Sequence, residues 1–334
     1  MTRARGNGSA LGFAGIDGLG AILETAVIVL NWNGWADTER CLHSLLRLDA
    51  DDYSIIVCDN ASSDGSPERL RRWIARSLPS LNAQRQGCGR QPIEVTLLET
   101  GGNLGYAGGN NVGLRHALTR GFAHFWILNN DCEPAPDALD WLRRRVAEDG
   151  RIGLCGATLV YADGNGRVQT RGGGRFSRLK GRGSAIGGMG RVDARVERAA
   201  IEREMGYVSG ASVLVTRAFL QAVGPMSEDY FLYWEELDWW VRARGRFRLG
   251  YAPQAIVRHR VGASIGTSDH GEGSALSTYY LTRNRVKFCW RHSRVSLPFV
   301  YADLGRRVAA NVVRGRWERA TLLLRAIAGL PFVT

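Results

Sequence analysis

Three acidic residues lie within an aromatic stretch whose sequence is FLYWEELDWW. Glu235, Glu236 and Asp238 stand at the predicted start of a helix, where a carboxylate can act as a general base towards a hydroxyl group. Carboxylates at a helix start also stabilise the helix dipole, which is an alternative explanation for the acidic character. That alternative does not explain the adjacent aromatic cluster. The stretch therefore predicts a catalytic site with Glu235, Glu236 and Asp238 as candidate bases.

Three tryptophans, Trp234, Trp239 and Trp240, stand among these acids. Their rings can stack on a sugar or an acceptor, although burial in the core is the commoner fate of tryptophan. The sequence leaves both interpretations open.

Short polar side chains follow four predicted strands. Ligands bind at the carboxyl edge of an open parallel sheet, so these side chains are expected to meet at one edge. Asp59 can accept a hydrogen bond from the imide N–H of uracil or thymine, and Asn31 and Asn60 can bind the base or the ribose. Ordinary turns are the alternative, and it weakens when four strands share the pattern. The candidate nucleotide-binding residues are Asn31, Asp59, Asn60, Asn103, Gly105, Asn110 and Asn130.

A glycine-rich run, GGNLGYAGGNN, follows the third predicted strand. A dinucleotide-binding fingerprint follows the first strand instead, so this run does not indicate one. Its glycines allow the backbone to approach a ligand closely. A helix predicted to begin near Asn110 can direct its positive end at a phosphate.

Asp131 and His259 are candidate metal ligands, because each follows a predicted strand. One carboxylate suffices to hold a divalent cation, Mg²⁺ or Mn²⁺, whose other ligands include diphosphate oxygens and water. A histidine can complete such a site. The alternatives are that Asp131 caps a helix and that His259 has a structural role.

Short, β-branched apolar runs alternate with helical patterns in the first half of the chain, which predicts a doubly wound, mostly parallel α/β sheet. The predicted strands are 26–30, 55–58, 93–98 and 125–128, and the predicted helices cover 37–48, 110–118 and a segment that starts at 67.

The second half predicts a helix at 141–148, a strand at 152–161, and a loop or strand pair in the glycine- and arginine-rich stretch 163–191. A strand at 213–215, helices at 217–223 and 237–244 and a short strand at 255–257 follow, and the last helices are 277–289 and 298–330. We therefore expect a flexible tail at 1–24, a catalytic domain at 25–265 and a basic helical extension at 266–334.

The formal charge of +12 is concentrated at the C-terminus, where residues 283–334 carry eleven Lys and Arg against two acids. A nucleic-acid-binding protein would spread this charge over its folded body, so nucleic acid is not an expected partner. An anionic membrane is the expected partner, and Leu304, Val308 and Val312 share the helical face that would meet it. Packing on the catalytic domain or a homodimer interface is the alternative.

Six scattered cysteines without a C-x-x-C pair fit a reducing cytosol. The N-terminus lacks the apolar core of a secretion signal, and no stretch of about 18 uninterrupted apolar residues occurs. The expected location is the cytoplasm, with peripheral attachment to the inner face of the cell membrane.

Eight motifs in this order resemble bacterial family-two glycosyltransferases of the GT-A fold, and among them the rhamnosyltransferase-like branch. They are AVIVLNWNG, CDNASSDGS, GNLGYAGGNN, ILNNDCEP, GYVSGASVLV, FLYWEELDWW, HRVGAS and YYLTRNR. The resemblance implies that Asp59 reads the base, that Asp131 is the last acid of the D-x-D motif, that His259 joins the metal and that Glu236 is the catalytic base.

Three departures from the family pattern accompany this resemblance. Glu236 stands where the E-D-x-x-L-x-x-R pattern has aspartate, and Trp239 replaces its leucine. Asn129 stands where D-x-D has its first acid, which weakens the expected metal site.

The predicted function is an inverting glycosyltransferase that uses a nucleoside-diphosphate sugar, first of all dTDP-rhamnose. The predicted acceptor is a glycan or lipid-linked hydroxyl in cell-envelope or other glycan synthesis. A non-catalytic protein that binds nucleotide sugars or anionic surfaces is the alternative. A nicotinamide oxidoreductase is excluded because the first strand leads into NWNG rather than a glycine fingerprint.

Overall fold

The computed structural model describes residues 24–260 and 273–332. Almost all of the predicted N-terminal tail, and the last four residues of HRVGAS, lie outside the described residues. The strands are β1 (Thr25–Asn31), β2 (Tyr53–Asp59), β3 (Val95–Glu99), β4 (His124–Asn129), β5 (Cys132–Pro134), β6 (Ile152–Tyr161), β7 (Val168–Arg171), β8 (Gly173–Ser177), β9 (Arg182–Ala185), β10 (Tyr207–Val208), β11 (Ser212–Thr216) and β12 (Arg248–His259).

Ten α-helices connect and cover these strands within the described ranges. They are α1 (Trp35–Leu45), α2 (Ser66–Gly87), α3 (Gly105–Thr119), α4 (Ala138–Glu148), α5 (Arg198–Glu204), α6 (Arg217–Val223), α7 (Glu235–Ala243), α8 (Ala275–His292), α9 (Leu297–Val313) and α10 (Trp317–Ile327). Short 3-10 helices cover Glu228–Tyr230 and Arg294–Ser296. No helix in the described part of the chain is both long and apolar enough to cross a bilayer.

The main sheet has the strand order β3-β2-β1-β4-β11-β6-β12-β5, and β7 pairs with β6 at its side. Strands β1, β2, β3, β4, β6 and β12 run in one direction, whereas β5, β7 and β11 run in the other. The predicted mostly parallel sheet is therefore confirmed. Strands β8, β9 and β10 form a separate small sheet.

Helices cover both faces of the main sheet, as the doubly wound prediction requires. Helices α1, α2 and α4 share one buried apolar core with the sheet, and α3, α6 and α7 share a second core on the opposite face. Alternating side chains of each central strand enter the two cores, which explains why these strands are apolar throughout.

Three predicted elements need correction. Helix α3 begins at Gly105 rather than near Asn110, and β12 begins at Arg248, well before the predicted strand at 255–257. The stretch 163–191 forms the three strands β7, β8 and β9 instead of a loop or strand pair. Its glycines pack against other backbone segments: a Cβ at Gly173 would lie 2.1 Å from the carbonyl oxygen of Tyr207.

The C-terminal helices are basic and helical as predicted, but they are not a separate appendage. Helices α8 and α9 enclose a third apolar core that also contains Tyr230 and Leu237 from the region of α7. Leu304 is fully buried in this core, so the prediction that it lies on a membrane-facing surface is wrong. Helical spacing places Leu304 on one stripe of α9, and the tertiary fold turns that stripe inward.

Candidate active site

The ends of the parallel strands meet at one edge of the sheet. In the register of the sheet, Asn31 pairs with Asp59, Asp59 pairs with Glu99, and Asn129 ends β4 beside Leu30. This alignment brings the polar segments that follow β1 to β4 together at the carboxyl edge, where open α/β sheets bind ligands. The predicted binding edge is thus formed.

Asp59 is buried and fixed by its neighbours. Asn31 Nδ2 donates to Asp59 Oδ2 at 2.7 Å, Ser62 Oγ donates to the same oxygen at 2.8 Å, and the Ser62 backbone N–H donates to Oδ1 at 2.9 Å. A carboxylate has about four lone-pair positions, so one stays available for a ligand N–H. This capacity fits the predicted reading of a base by Asp59, which stays a prediction.

Asn60 holds the glycine-rich loop against the end of β2. Its Nδ2 donates to Asn103 Oδ1 at 2.9 Å and to the Gly105 carbonyl at 3.2 Å, and its Oδ1 accepts from Leu104 N at 3.0 Å. Asn103 itself is exposed and accepts from Gly105 N at 3.0 Å. The start of α3 is therefore positioned beside the predicted nucleotide site.

Asn110 and Asn130 lie deeper than the sequence suggested. Asn110 stands in the second turn of α3, is fully buried and donates to the Tyr106 carbonyl at 2.9 Å. Asn130 is also buried and donates to Thr38 Oγ1 at 3.0 Å. Since α3 begins at Gly105, the helix end that can face a phosphate is there and not at Asn110.

Asp131 and His259 come together as predicted. His259 Nε2 lies 3.2 Å from Asp131 Oδ1, with side-chain exposures of 12% and 9%, and Cys132 completes a group of three ligand atoms within 4.8 Å of one another. On the other side of the ring, His259 Nδ1 contacts Gln169 Oε1 at 2.7 Å. A carboxamide oxygen can only accept, so Nδ1 carries the hydrogen and Nε2 is the nitrogen that faces the carboxylate.

An imidazole nitrogen and a carboxylate oxygen at this distance can share a cation or a proton. Asp131 Oδ1 is moreover buried without a hydrogen-bond partner among the described residues. A neutral imidazole whose second nitrogen is held by an acceptor is the usual form of a histidine metal ligand. The residues present therefore fit a divalent cation, even though Asn129 replaces the first acid of the motif.

Glu236 lies in a tight, half-buried position at the start of α7. A Cβ on Gly210 would lie 1.8 Å from Glu236 Oε1 and 2.9 Å from the Tyr106 hydroxyl, so only glycine leaves room for the carboxylate. Loss of hydration raises the pKa of Glu236 from 4.5 to about 7. A carboxyl group that titrates near neutral pH suits general-base catalysis.

Glu235 is fully buried, and neither of its carboxylate oxygens has a hydrogen-bond partner within the described ranges. Burial first, and then the charge of Glu236, raises its pKa well above the usual value. Burial without a hydrogen-bond partner therefore favours the neutral form of Glu235 over its carboxylate.

Asp238 faces a different set of groups. Its Oδ1 accepts from Tyr230 Oη at 3.1 Å and contacts His292 Nε2 at 2.7 Å, and its Oδ2 accepts from Arg242 Nε at 2.9 Å. Although burial opposes it, the hydrogen bonds from His292 and Arg242 hold the pKa of Asp238 below its usual value. Both oxygens are engaged, so Asp238 joins helices and is poorly placed to accept a substrate proton.

The tryptophans around these acids are mainly core residues. Trp239 is buried, donates to the Gly224 carbonyl at 2.7 Å and packs edge to face on Phe219. Trp234 packs against Phe288 with ring centroids 5.3 Å apart. For Trp239 the structure contradicts the sugar-stacking interpretation and supports burial.

Three residues around the site escaped the sequence reasoning. Tyr106 donates to the Gly210 carbonyl at 2.6 Å beside Glu236, Gln169 holds His259, and Asn284 holds the loop before α7. Tyr106 and Asn284 lie inside the motifs GNLGYAGGNN and YYLTRNR, and an asparagine in the middle of a helix is a signal because it disfavours helix. No comparable signal marks Gln169.

Comparison with known proteins agrees with this geometry. A family model described as glycosyl transferase family 2 matches residues 26–195, slightly more than half of the chain. The chain is 26% identical over 285 residues to an N-acetylglucosaminyl-diphospho-decaprenol L-rhamnosyltransferase of Mycobacterium tuberculosis, covering 79% of this chain and 86% of the relative. It is 22% identical over 222 residues to a low-salt glycan biosynthesis hexosyltransferase, Agl10, of Haloferax volcanii, covering 66% and 62%.

Two solved structures share the fold. A mannosyltransferase of Pyrobaculum calidifontis, solved with GDP-Man and Mn²⁺, has a TM-score of 0.54 and 19% identity, covering 95% of this chain and 79% of that one. TarS of S. aureus, solved with UDP-GlcNAc, has a TM-score of 0.55 and 13% identity, covering 91% and 79%. The fold and the site thus define a glycosyltransferase of the GT-A class. The chain belongs to glycosyltransferase family 2, and it is an enzyme that uses a nucleotide-sugar donor.

Proposed function

We propose that the protein is an inverting glycosyltransferase in which Glu236 is the catalytic base. The observation that carries this proposal is the place of Glu236 against Gly210 and Tyr106, where loss of hydration brings its pKa to about 7. The acceptor oxygen bonds to the anomeric carbon as the bond from that carbon to the diphosphate breaks with its electron pair. Glu236 takes the acceptor proton, and one displacement inverts the configuration.

The proposed donor is dTDP-rhamnose, and the proposed acceptor is a hydroxyl of a lipid-linked glycan of the cell envelope. Support comes from the mycobacterial relative, whose name specifies L-rhamnosyl transfer to a decaprenol-linked sugar. The buried Asp59, with one lone-pair position available, suits the imide N–H of a thymine or uracil base. Asn31, Asn60, Asn103 and Gly105 shape the remainder of the donor site.

Asp131 and His259 are the proposed ligands of a divalent cation, Mg²⁺ or Mn²⁺. Their facing atoms at 3.2 Å and the Gln169 contact to the second imidazole nitrogen support this assignment. When bound, such a cation would neutralise negative charge on the departing diphosphate. The Pyrobaculum mannosyltransferase was solved in complex with Mn²⁺, which agrees with the choice of ion.

We further propose that α9 and α10 attach the enzyme to the anionic inner face of the cell membrane. Phe299, Ala302, Ala309 and Val313 are exposed along α9, and Trp317 and Leu324 are exposed along α10 at 64% and 55%. Arg307 of α9 and Arg314, which directly follows α9, are exposed and form no ion pair with any described residue. Basic and apolar side chains on one surface suit an anionic bilayer, and a homodimer interface is the alternative occupant.

The substitution Glu236→Gln tests the base assignment. It keeps the shape of the side chain but removes its ability to accept a proton, so turnover should fall by roughly 10²-fold or more. Donor binding, measured by calorimetric titration with dTDP-rhamnose, should survive. Near-normal turnover would reject Glu236 as the base, and donor binding without any release of free nucleotide diphosphate by the unmodified protein would favour a non-catalytic binding protein.

A further inference from the structure

The loop before α7 has an unusual backbone. Phe231, Tyr233 and Trp234 have φ angles of +65°, +66° and +80°, which place three non-glycine residues in the left-handed region within four positions. Non-glycine residues in this region are strained and persist only where the surrounding structure holds them. Glu235 and Glu236 follow directly, so the conformation of this loop sets the position of both carboxylates.

One side chain of helix α8 holds this loop. Asn284 is fully buried, and its Nδ2 donates to the carbonyl oxygens of Tyr230 and Leu232 at 2.7 Å each and contacts that of Tyr233 at 3.2 Å. Its Oδ1 accepts from Arg283 at 3.0 Å. Both N–H groups of this amide are therefore used on the strained loop.

Two further contacts hold the same loop. The Tyr233 hydroxyl and Ser277 Oγ of α8 are 3.0 Å apart, and the Phe231 carbonyl accepts from Tyr106 N at 2.6 Å at the start of α3. Since α3 starts at the glycine-rich donor loop, the strained loop lies between the proposed donor site and α8.

We infer that Asn284 is a positioning residue for the catalytic base: it fixes the left-handed loop that places Glu236 against Gly210. This inference rests on the proposed role of Glu236. It assigns to the C-terminal helices a part in catalysis that is separate from any contact with a membrane.

The test compares Asn284→Ala with Thr282→Val. Thr282 lies two residues away on α8, is also buried, and its hydroxyl has no hydrogen-bond partner among the described residues, so valine should leave kcat unchanged. Asn284→Ala should lower kcat by roughly 10²-fold, because a small displacement of a catalytic group has that effect. The donor KM should change less than kcat, because Asn284 contacts none of the residues proposed to touch the donor.

The pH profile distinguishes positioning from a general loss of stability. The titratable described residues that interact with Glu236 are Glu235 on the same helix, Tyr106 from α3 and Tyr207 from β10. When the loop is released, Glu236 gains hydration, and the midpoint of the acid limb of kcat should move from about 7 towards 4.5. A destabilised but correctly arranged enzyme would keep its midpoint.

Ser277→Ala removes the contact with the Tyr233 hydroxyl and leaves Asn284 unchanged. It should lower kcat and shift the midpoint in the same directions as Asn284→Ala, to a smaller extent. It provides the test if Asn284→Ala does not fold. Unchanged kcat in a folded Asn284→Ala enzyme, or a fall in kcat with an unchanged midpoint, would overturn the inference. A fully active Glu236→Gln enzyme would instead reject the base assignment, so the two failures are distinguishable.

Discussion

At the scale of single residues, three neighbouring carboxyl groups of the site differ in their pKa shifts because their surroundings differ. Glu235 is buried without a hydrogen-bond partner among the described residues, which raises its pKa. Hydrogen bonds from His292 and Arg242 lower the pKa of Asp238, and the pKa of Glu236 is raised to about 7. Without the family resemblance, which favours Glu236, the sequence leaves all three as candidates because the spacing of residues in a helix start does not show which group is hydrated. Burial and hydrogen-bond partners determine how the pKa of each carboxyl group shifts.

The pKa of Glu236 predicts the pH dependence of the reaction. The base must be ionised to accept a proton, so kcat should fall as the pH drops through about 7 and should reach a plateau above it. Initial rates at saturating donor and acceptor between pH 5 and 9 measure this limb. A midpoint near 4.5 in the unmodified enzyme would show that Glu236 is hydrated or is not the base.

At the scale of elements, the alternation of strands and helices could be predicted because each central strand is a short apolar run buried on both faces. The start of α3 could not, since Gly105, Gly108 and Gly109 look like a loop in the sequence. In the structure these glycines allow close packing: a Cβ at Gly109 would lie 2.3 Å from Leu30 Cδ1. The sequence alone does not distinguish a glycine that is required by close packing from a glycine that is required by a turn.

The site was predicted where residues follow strands and was missed where the partner is remote in sequence. Asp131 and His259 were named from their places after strands, but Gln169 lies 90 residues from the histidine that it holds. Its strand, β7, belongs to the stretch predicted as a loop or strand pair. A contact between a side chain of one strand and the imidazole ring of another strand produces no periodic pattern in the sequence.

Strand β7 therefore offers a test of the metal site through Gln169. Gln169→Leu should weaken Mn²⁺ binding by about 10-fold or more, because the acceptor that orients His259 is lost. Gln169→Glu retains an acceptor oxygen and should bind Mn²⁺ nearly as well as the unmodified protein. Electron paramagnetic resonance titration of free Mn²⁺ measures both. Equal affinities in the leucine and glutamate variants would contradict this role of β7.

At the scale of the whole molecule, the outer surface of α9 and α10 predicts membrane attachment. The paired substitution of Arg307→Glu and Arg314→Glu should weaken binding to vesicles rich in anionic lipid by about 10-fold or more, since each basic residue contributes about 1 kcal/mol. Co-sedimentation at low salt measures the effect. Deletion of α9 is unsuitable, because Val300 and Leu304 belong to the core that also contains Leu237.

The matched control for this experiment is the paired substitution of Arg47→Glu and Arg76→Glu. It reverses one exposed charge on the segment after α1 and one on α2. It should bind vesicles like the unmodified protein. If the unmodified protein does not bind anionic vesicles at low salt, the proposed membrane attachment is wrong. Light scattering would then show whether the exposed apolar residues of α10 join two copies of the chain.

The place of Asn284 also has a consequence for the time at which the enzyme becomes active during its synthesis. The ribosome makes β1 to β12, and with them every residue proposed to touch donor or metal, before it makes α8. N-terminal parts of a chain can fold while synthesis continues. The loop with three left-handed residues nevertheless lacks the hydrogen bonds from Asn284 until that residue has left the ribosome. A chain that ends before residue 284 therefore lacks the hydrogen bonds that we infer position Glu236.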